Sequence, residues 1–229
     1  MKKLYVSNKD ESVRMFKSDF LEVFSKVHFS VPLFIYIPLI GYCLYLAANE
    51  PELGPLAAIG AFVGGVVLWS FAEYILHRFV FHYVPKSTWG LRMHFIFHGV
   101  HHDYPNDSKR LVMPPSVSIP LAILFYYVFK ALLPATYLYV VFAGFVLGYL
   151  IYDMLHYAIH HVNFKGKWWN NLKAHHLKHH FKDPDKGYGV STPFWDDVIG
   201  SNFRKGNEKS KTESERKSTR KQNIHSKAV

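Results

Sequence analysis

Cysteine and acidic residues are scarce in this 229-residue chain. Cys43 is the one cysteine, so the chain forms no internal disulfide and no cysteine-based zinc site. Asp and Glu number 17 against 27 Lys and Arg, a formal net charge of +10. No nucleic-acid module pattern accompanies this charge, so we predict no nucleic-acid partner and attribute the charge to anionic lipid and membrane orientation. The first thirty residues are charged and lack the apolar core of a cleavable signal peptide.

Charged residues are also absent from four long stretches: 31–48, 53–72, 111–129 and 131–152. Crossing a bilayer takes about 20 apolar residues, so each stretch is long enough or nearly so. The first two stretches are joined by a short turn, and so are the last two. The pattern predicts an all-α integral membrane protein with four transmembrane helices in two antiparallel hairpins. Buried helices of a soluble protein are the alternative, but a soluble domain this small would bury four such stretches with difficulty.

Basic residues predict the orientation of these helices. The turn at 49–52 has two Glu and no Lys or Arg, whereas the segment 77–110 carries five Lys and Arg. By the positive-inside rule, both termini and the segment 77–110 are cytosolic. We therefore predict a cytosolic segment at 1–30, a membrane domain with a cytosolic helical cap at 31–203, and a basic, disordered tail at 204–229.

Ten histidines fall into four clusters just past or between the apolar stretches: His77, His82, His98, His101, His102, His156, His160, His176, His179 and His180. Residues at i, i+3 and i+4 share a helix face, so each triplet and the pair at 156 and 160 can present imidazoles to one point. Ten ligands exceed the needs of one ion and predict two ions with about five ligands each.

His77 and His82 do not fit that spacing. Five residues place them about 140° apart on an ideal α-helix. Either the helix breaks at 79–81 or the two residues serve different ions. Imidazole ligands suit Fe, Zn, Cu and Ni, so the ligands alone do not identify the ion.

Other polar residues lie near the clusters. We place His94, His161 and His175 outside the ligand set. Four carboxylates have two open interpretations, as orienting partners of the imidazoles or as ordinary caps and surface contacts: Glu73, Asp103, Asp153 and Asp183.

Eight aromatic residues also have two open interpretations, as the lining of a slot for an apolar chain or as interfacial anchors and helix packing: Trp69, Phe71, Phe79, Phe81, Phe95, Phe97, Tyr149 and Tyr152.

The order of the histidine motifs resembles the fatty acid hydroxylase superfamily of membrane di-metal oxygenases. The motifs are His77-Arg-Phe-Val-Phe-His82, His98-Gly-Val-His101-His102, His156-Tyr-Ala-Ile-His160 and His176-Leu-Lys-His179-His180. Three segments are most similar to the fatty acid 2-hydroxylase branch: His101-His102-Asp103-Tyr104-Pro105, Arg110-Leu111-Val112-Met113-Pro114-Pro115, and Gly187-Tyr188-Gly189-Val190-Ser191-Thr192 leading to Trp195-Asp196. The resemblance covers roughly residues 70–203.

This resemblance implies O2-dependent insertion of OH at C2 of a fatty acyl chain, free or within a sphingolipid. It places the ten histidines on the family's metal positions and implies two iron ions, although zinc can occupy such sites in purified protein because it binds more tightly than iron. No catalytic residue beyond these ligands is assigned. Residues 1–30 are too short for the cytochrome b5 domain of many relatives and lack its His-Pro-Gly-Gly haem motif. We therefore expect no haem in this chain and a separate electron donor of the cytochrome b5 or ferredoxin type.

Two other functions remain open. A sterol desaturase or carotenoid hydroxylase of the same superfamily differs mainly in the stretch 111–115. A divalent-metal transporter also combines histidines with apolar helices, but its ligands are expected at the bilayer midplane on broken helices. Here the histidine triplets lie in polar segments, which disfavours transport.

Overall fold

The computed structural model describes residues 4–203, and every regular element within that range is helical. The elements are α1 (Asp19–Phe24), α2 (Val31–Ala48), α3 (Pro55–Ile75), α4 (Thr88–His94), α5 (Val100–Asp103), α6 (Pro115–Leu132), α7 (Ala135–His161), α8 (Lys167–Phe181) and α9 (Phe194–Ile199). Two π-helical turns continue α3 and α4: Leu76–Phe81 and Phe95–Gly99. The tail predicted at 204–229 lies outside the described residues.

Four helices are long and apolar enough to cross a membrane, as the charge-free stretches predict: Val31–Ala48, Pro55–Phe81, Pro115–Leu132 and Ala135–His161. Proline occupies the first helical position of α3, at Pro55, and of α6, at Pro115. Proline favours that position because it has no N–H to leave unpaired and its φ angle already suits a helix. The all-helical prediction with four apolar spans is thereby confirmed.

Helix α7 is the centre of the bundle. Two thirds of the residues in the most apolar 18-residue stretch of α7 are buried, whereas the buried share is 22% in α2 and 11% in both α3 and α6. Both α2 and α3 pack against α7 more extensively than against each other. Gly65 and Gly144 allow α3 and α7 to approach closely, because a Cβ on either glycine would overlap the backbone of the facing helix. Trp69 of α3 then packs edge-on against Phe145 and Tyr149 of α7.

The helical cap, residues 82–114 and 162–203, lies at the end of the bundle where α3 and α7 finish. Glu73 near the end of α3 joins the two parts, since its carboxylate accepts hydrogen bonds from Val190 N at 2.7 Å and Ser191 N at 2.9 Å. The segment before α2 lies across the cap, with Val6 N donating to Asp103 O at 2.9 Å. This arrangement brings the two parts of the cap together with the ends of α3 and α7.

Candidate metal centre

All ten clustered histidines come together at the junction of the bundle and the cap. They form two sets in which one ring nitrogen of each residue lies within 4.8 Å of those of the other members. Group one comprises His77, His82, His98, His102 and His179. Group two comprises His101, His156, His160, His176 and His180. The division into five and five is the one that the ligand count predicts.

The π-helical turn at Leu76–Phe81 brings His77 and His82 into the same group. Its hydrogen bonds join residues five apart, and His82 N donates to His77 O at 3.1 Å. A π turn is wider than an α turn and brings residues at i and i+5 closer to one side of the helix, so both rings can face the same point. Neither sequence-based alternative was right, because the helix widens without breaking at 79–81 and the two residues share a group.

The two triplets do not each serve one point, contrary to our prediction. His98 and His102 belong to group one, while His101 between them belongs to group two. In the same way, His176 and His180 belong to group two and His179 to group one. The reason is helical geometry. Viewed along an α-helix, the side chain at i+4 is rotated about 40° from that at i, whereas the side chain at i+3 is rotated about 60° in the opposite direction. Each triplet therefore links the two groups.

The spacing of the ring nitrogens fits a common ion. In group one, His98 Nε2 lies 3.1 Å from His77 Nε2 and 3.0 Å from His102 Nε2. In group two, His156 Nε2 lies 2.9 Å from His101 Nε2. Two nitrogens each about 2.1 Å from one ion, at right angles, would be about 3.0 Å apart.

His160 provides a second indication that the imidazoles hold an ion. Both of its ring nitrogens are buried and have no hydrogen-bond partner among the described residues. Leaving buried polar atoms unpaired is costly, and a bound ion would give one of these two nitrogens a partner. The donor set also fits, since neutral imidazole is a common ligand of Fe and Zn.

Burial keeps these imidazoles in the neutral form that ligates metals. Burial, together with the neighbouring imidazoles, holds the pKa of His98, His101 and His180 well below its usual value. The same causes lower the pKa of His82 to about 2. Burial also lowers the pKa of His179 to about 4, although the hydrogen bond to Lys186 O opposes that shift. An ion can therefore bind at neutral pH without displacing protons from these rings.

Backbone carbonyls orient two rings of group one. His77 Nδ1 donates to Tyr188 O, and His179 Nδ1 donates to Lys186 O at 2.8 Å. Each bond fixes the proton on Nδ1 and leaves Nε2 free to face the ion. Within the described residues, no carboxylate among the four considered from sequence bonds to an imidazole of the two groups. Glu73 holds residues 190 and 191, and Asp183 pairs with Lys186 at 2.5 Å.

Asp196 is an organising residue to which sequence reasoning assigned no role. Its side chain is fully buried and accepts hydrogen bonds from Tyr188 N at 2.9 Å, Gly189 N at 2.8 Å, His175 Nε2 at 3.0 Å and Ser201 Oγ at 2.7 Å. Burial raises the pKa of Asp196, but these bonds outweigh burial and hold it below its usual value. The sequence signal for it is the motif that runs from Gly187 to Trp195-Asp196, in which this carboxylate holds the backbone of Tyr188 and Gly189.

The three remaining clustered histidines lie outside both groups, as expected. His175 bonds to Asp196 at 3.0 Å. His161 stacks on Tyr157, with ring centroids 4.9 Å apart. His94 belongs to neither group of converging nitrogens.

An apolar cavity of about 430 Å³ adjoins both groups. Its lining includes the rings of His98, His101 and His156, and most of its other lining residues are apolar. Three of the eight aromatic residues considered from sequence line it: Phe81, Phe97 and Tyr152. Trp69 and Tyr149 instead pack inside the bundle. The other three are not among its lining residues: Phe71, Phe79 and Phe95.

Comparisons with known proteins identify the family of the chain. The Fatty acid hydroxylase family matches residues 62–201. A fatty acid 2-hydroxylase of Mus musculus is 42% identical over 206 residues, and a dihydroceramide fatty acyl 2-hydroxylase of Arabidopsis thaliana is 39% identical over 196 residues. The structure of full-length scs7p, with only its hydroxylase domain visible, superposes with a TM-score of 0.76 at 38% identity, covering 81% of this chain and 70% of that one.

The extent of these matches differs between relatives. The alignment covers 80% of this chain but 55% of the mouse protein, and 83% of this chain with 80% of the Arabidopsis protein. The family match includes every histidine of both groups. The resemblance predicted from the histidine motifs is confirmed, and the chain belongs to the fatty acid hydroxylase family.

Proposed function

We propose that the chain is a membrane monooxygenase that inserts OH at C2 of a fatty acyl chain, either a free fatty acid or the N-acyl chain of a sphingolipid. The observation that carries this proposal is the apolar cavity lined by His98, His101 and His156, which belong to the two groups of five imidazoles. The relatives named as fatty acid 2-hydroxylase and dihydroceramide fatty acyl 2-hydroxylase support the acyl substrate and the C2 position.

The ten histidines of groups one and two are, in this proposal, the ligands of two metal ions. Iron is the proposed native metal, and zinc is expected to compete for the same imidazoles in purified protein. When bound, the ions would activate O2 to cleave an unactivated C–H bond, an oxidation that no side chain can carry out. In the overall reaction, one oxygen atom of O2 enters the C–H bond and the other leaves as water, with the uptake of two electrons and two protons.

The protein's own contribution is to position the acyl chain and exclude water. Val112, Met113 and Val117 provide apolar walls next to the imidazoles, so a hydrocarbon chain replaces water there favourably. The site lies at the ends of α3 and α7, where the bundle meets the cap. An acyl chain extending into the bilayer would therefore present carbons near its polar head to the two groups.

The proposed topology has both termini and the site on the cytosolic side, with the spans connected as two hairpins. The short connections at 49–54 and 133–134 and the basic segment 77–110 support this arrangement. Residues 1–30 and 31–203 are the proposed cytosolic segment and membrane domain. Electrons are proposed to come from a separate protein of the cytochrome b5 or ferredoxin type. The net charge of +10 favours association with an acidic donor.

Lipid mass spectrometry of a host that expresses the chain tests this function. We expect new 2-hydroxy acyl species with the wild-type chain and none with His98→Ala or His179→Ala, together with reduced metal content. His28→Ala is the matched control, because His28 is exposed and bonds only locally, to Ser30. An altered sterol or carotenoid in place of 2-hydroxy acyl species would contradict the substrate. Full activity and unchanged metal content in both ligand variants would contradict the site.

A further inference from the structure

The segment that precedes the first span forms part of the cavity. Five of its residues line the cavity: Met15, Phe16, Leu21, Phe24 and Ser25. All five lie outside the range 62–201 that the family matches. The composition of residues 1–30 predicts a polar, cytosolic segment, so the place of these five residues beside the histidines needs a structural cause.

Glu22 fixes the shape of this segment. Its carboxylate accepts hydrogen bonds from Met15 N at 2.9 Å and Phe16 N at 3.0 Å, which folds residues 15 and 16 back against α1. The other oxygen pairs with Lys26 and Arg110, each at 2.9 Å. The lining residues on either side of Glu22 are therefore held in one arrangement.

Arg110 attaches this arrangement to the cap. Its side chain is 4% exposed and also pairs with Asp107 at 3.1 Å. Arg110 lines the cavity itself and directly precedes the stretch that contributes Val112 and Met113 to the same lining. The N-terminal segment is thus joined by buried ion pairs to the part of the cap that faces the histidines.

Three residues mark the mouth of the cavity. Leu21 and Phe24 of α1 and Phe97 of the second π-helical turn all line the cavity, yet they are 48%, 51% and 49% exposed. Side chains that line a cavity and also face outward stand at its opening. Phe24 is seven residues from Val31, where the first span begins, so the mouth lies within about 25 Å of the start of that span.

We propose that the five lining residues of this segment form one wall and the mouth of the acyl-binding cavity and thereby select the acyl chain: Met15, Phe16, Leu21, Phe24 and Ser25. This inference rests on the proposed hydroxylase function. The occupant is a membrane lipid acyl chain, because the mouth is apolar, lies close to the first span and leads to the imidazoles of both groups.

Matched substitutions on α1 test this selection. Leu21→Ala and Phe24→Ala remove apolar groups from the mouth, whereas the control Val23→Ala removes an apolar group that does not line the cavity and is 69% exposed. Each methylene that loses burial costs about 0.8 kcal/mol, or about fourfold in binding. We expect kcat/KM for long acyl chains to fall at least about fourfold in Leu21→Ala and Phe24→Ala, mainly through KM, with wild-type metal content, and to stay unchanged in Val23→Ala. Equal effects in the mouth variants and the control would overturn the inference.

Photocrosslinking gives a measurement that does not need turnover. A long-chain fatty acid and an N-acyl sphingolipid, each with a diazirine on the acyl chain, are irradiated with the full-length protein, and the labelled peptides are identified by mass spectrometry. We expect labels within residues 15–25. Labels confined to other segments while hydroxylation persists would refute the wall but not the enzyme. Labels at 15–25 without any 2-hydroxy product would support the wall and refute the proposed activity.

Discussion

Replacing Asp196 with asparagine is expected to weaken group one while sparing group two. Asp196 holds Tyr188 N and Gly189 N, and the adjoining carbonyl of Tyr188 orients His77. The carbonyl of Lys186, which orients His179, lies in the same loop, which connects α8 to α9. None of the described partners of group two belongs to this loop, so the effect should be confined to one ion.

The size of the effect follows from the hydrogen bonds that Asp196 accepts. Each carboxylate oxygen accepts two bonds, and in asparagine one oxygen becomes an NH2 group that faces donors. Two charge-assisted bonds are lost, at about 1.5–3 kcal/mol each, or about 3–6 kcal/mol together. Disturbing the partners of metal-binding histidines typically lowers metal affinity about 10–100-fold, which we expect here for group one.

Equilibrium dialysis against limiting iron or zinc, followed by elemental analysis, measures the outcome. We expect two ions per chain in the wild type and about one in Asp196→Asn. Asp197→Asn is the matched control, because Asp197 is exposed and bonds to Asn202 instead of the loop. Loss of both ions in Asp196→Asn, or retention of both at every iron concentration, would refute the reasoning.

Two further predictions test the grouping and the packing. The double variant His82→Ala, His102→Ala disrupts group one alone and should retain about one ion by elemental analysis. The double variant His82→Ala, His160→Ala disrupts both groups and should retain none. Equal retention of ions in the two variants would contradict the division into two groups. Gly144→Ala places a Cβ against the backbone of α3 and should lower stability by about 1–3 kcal/mol in thermal unfolding, whereas Gly60→Ala, with open space around it among the described residues, should not.

The spans and the membership of the site could be predicted from local sequence. Charge-free stretches indicate membrane helices whatever their neighbours are, and ten spaced histidines imply two ions by number alone. The assignment of each histidine could not be predicted in the same way. His77 and His82 share a group because the helix widens to a π turn, and the residues 77–82 carry no signal for that change.

Contacts between distant parts of the chain account for the other differences. Glu22 and Arg110 are 88 residues apart, and their ion pair is what places α1 beside the cavity. Composition alone marks residues 1–30 as polar and basic and cannot reveal that pair. Asp196 is a similar case, since its role depends on a loop folded around its carboxylate.

The division of each triplet between the two groups has a consequence for biosynthesis. The histidines of group one come from the π-helical turn after α3 and the residue that ends it, from the second π-helical turn and α5, and from α8. Those of group two come from α5, α7 and α8. A nascent chain that ends before His176 therefore contains neither complete group, however many spans have already entered the membrane. Metal loading should accordingly follow the insertion of all four spans, and a shortened chain lacking α8 should be inserted but metal-free.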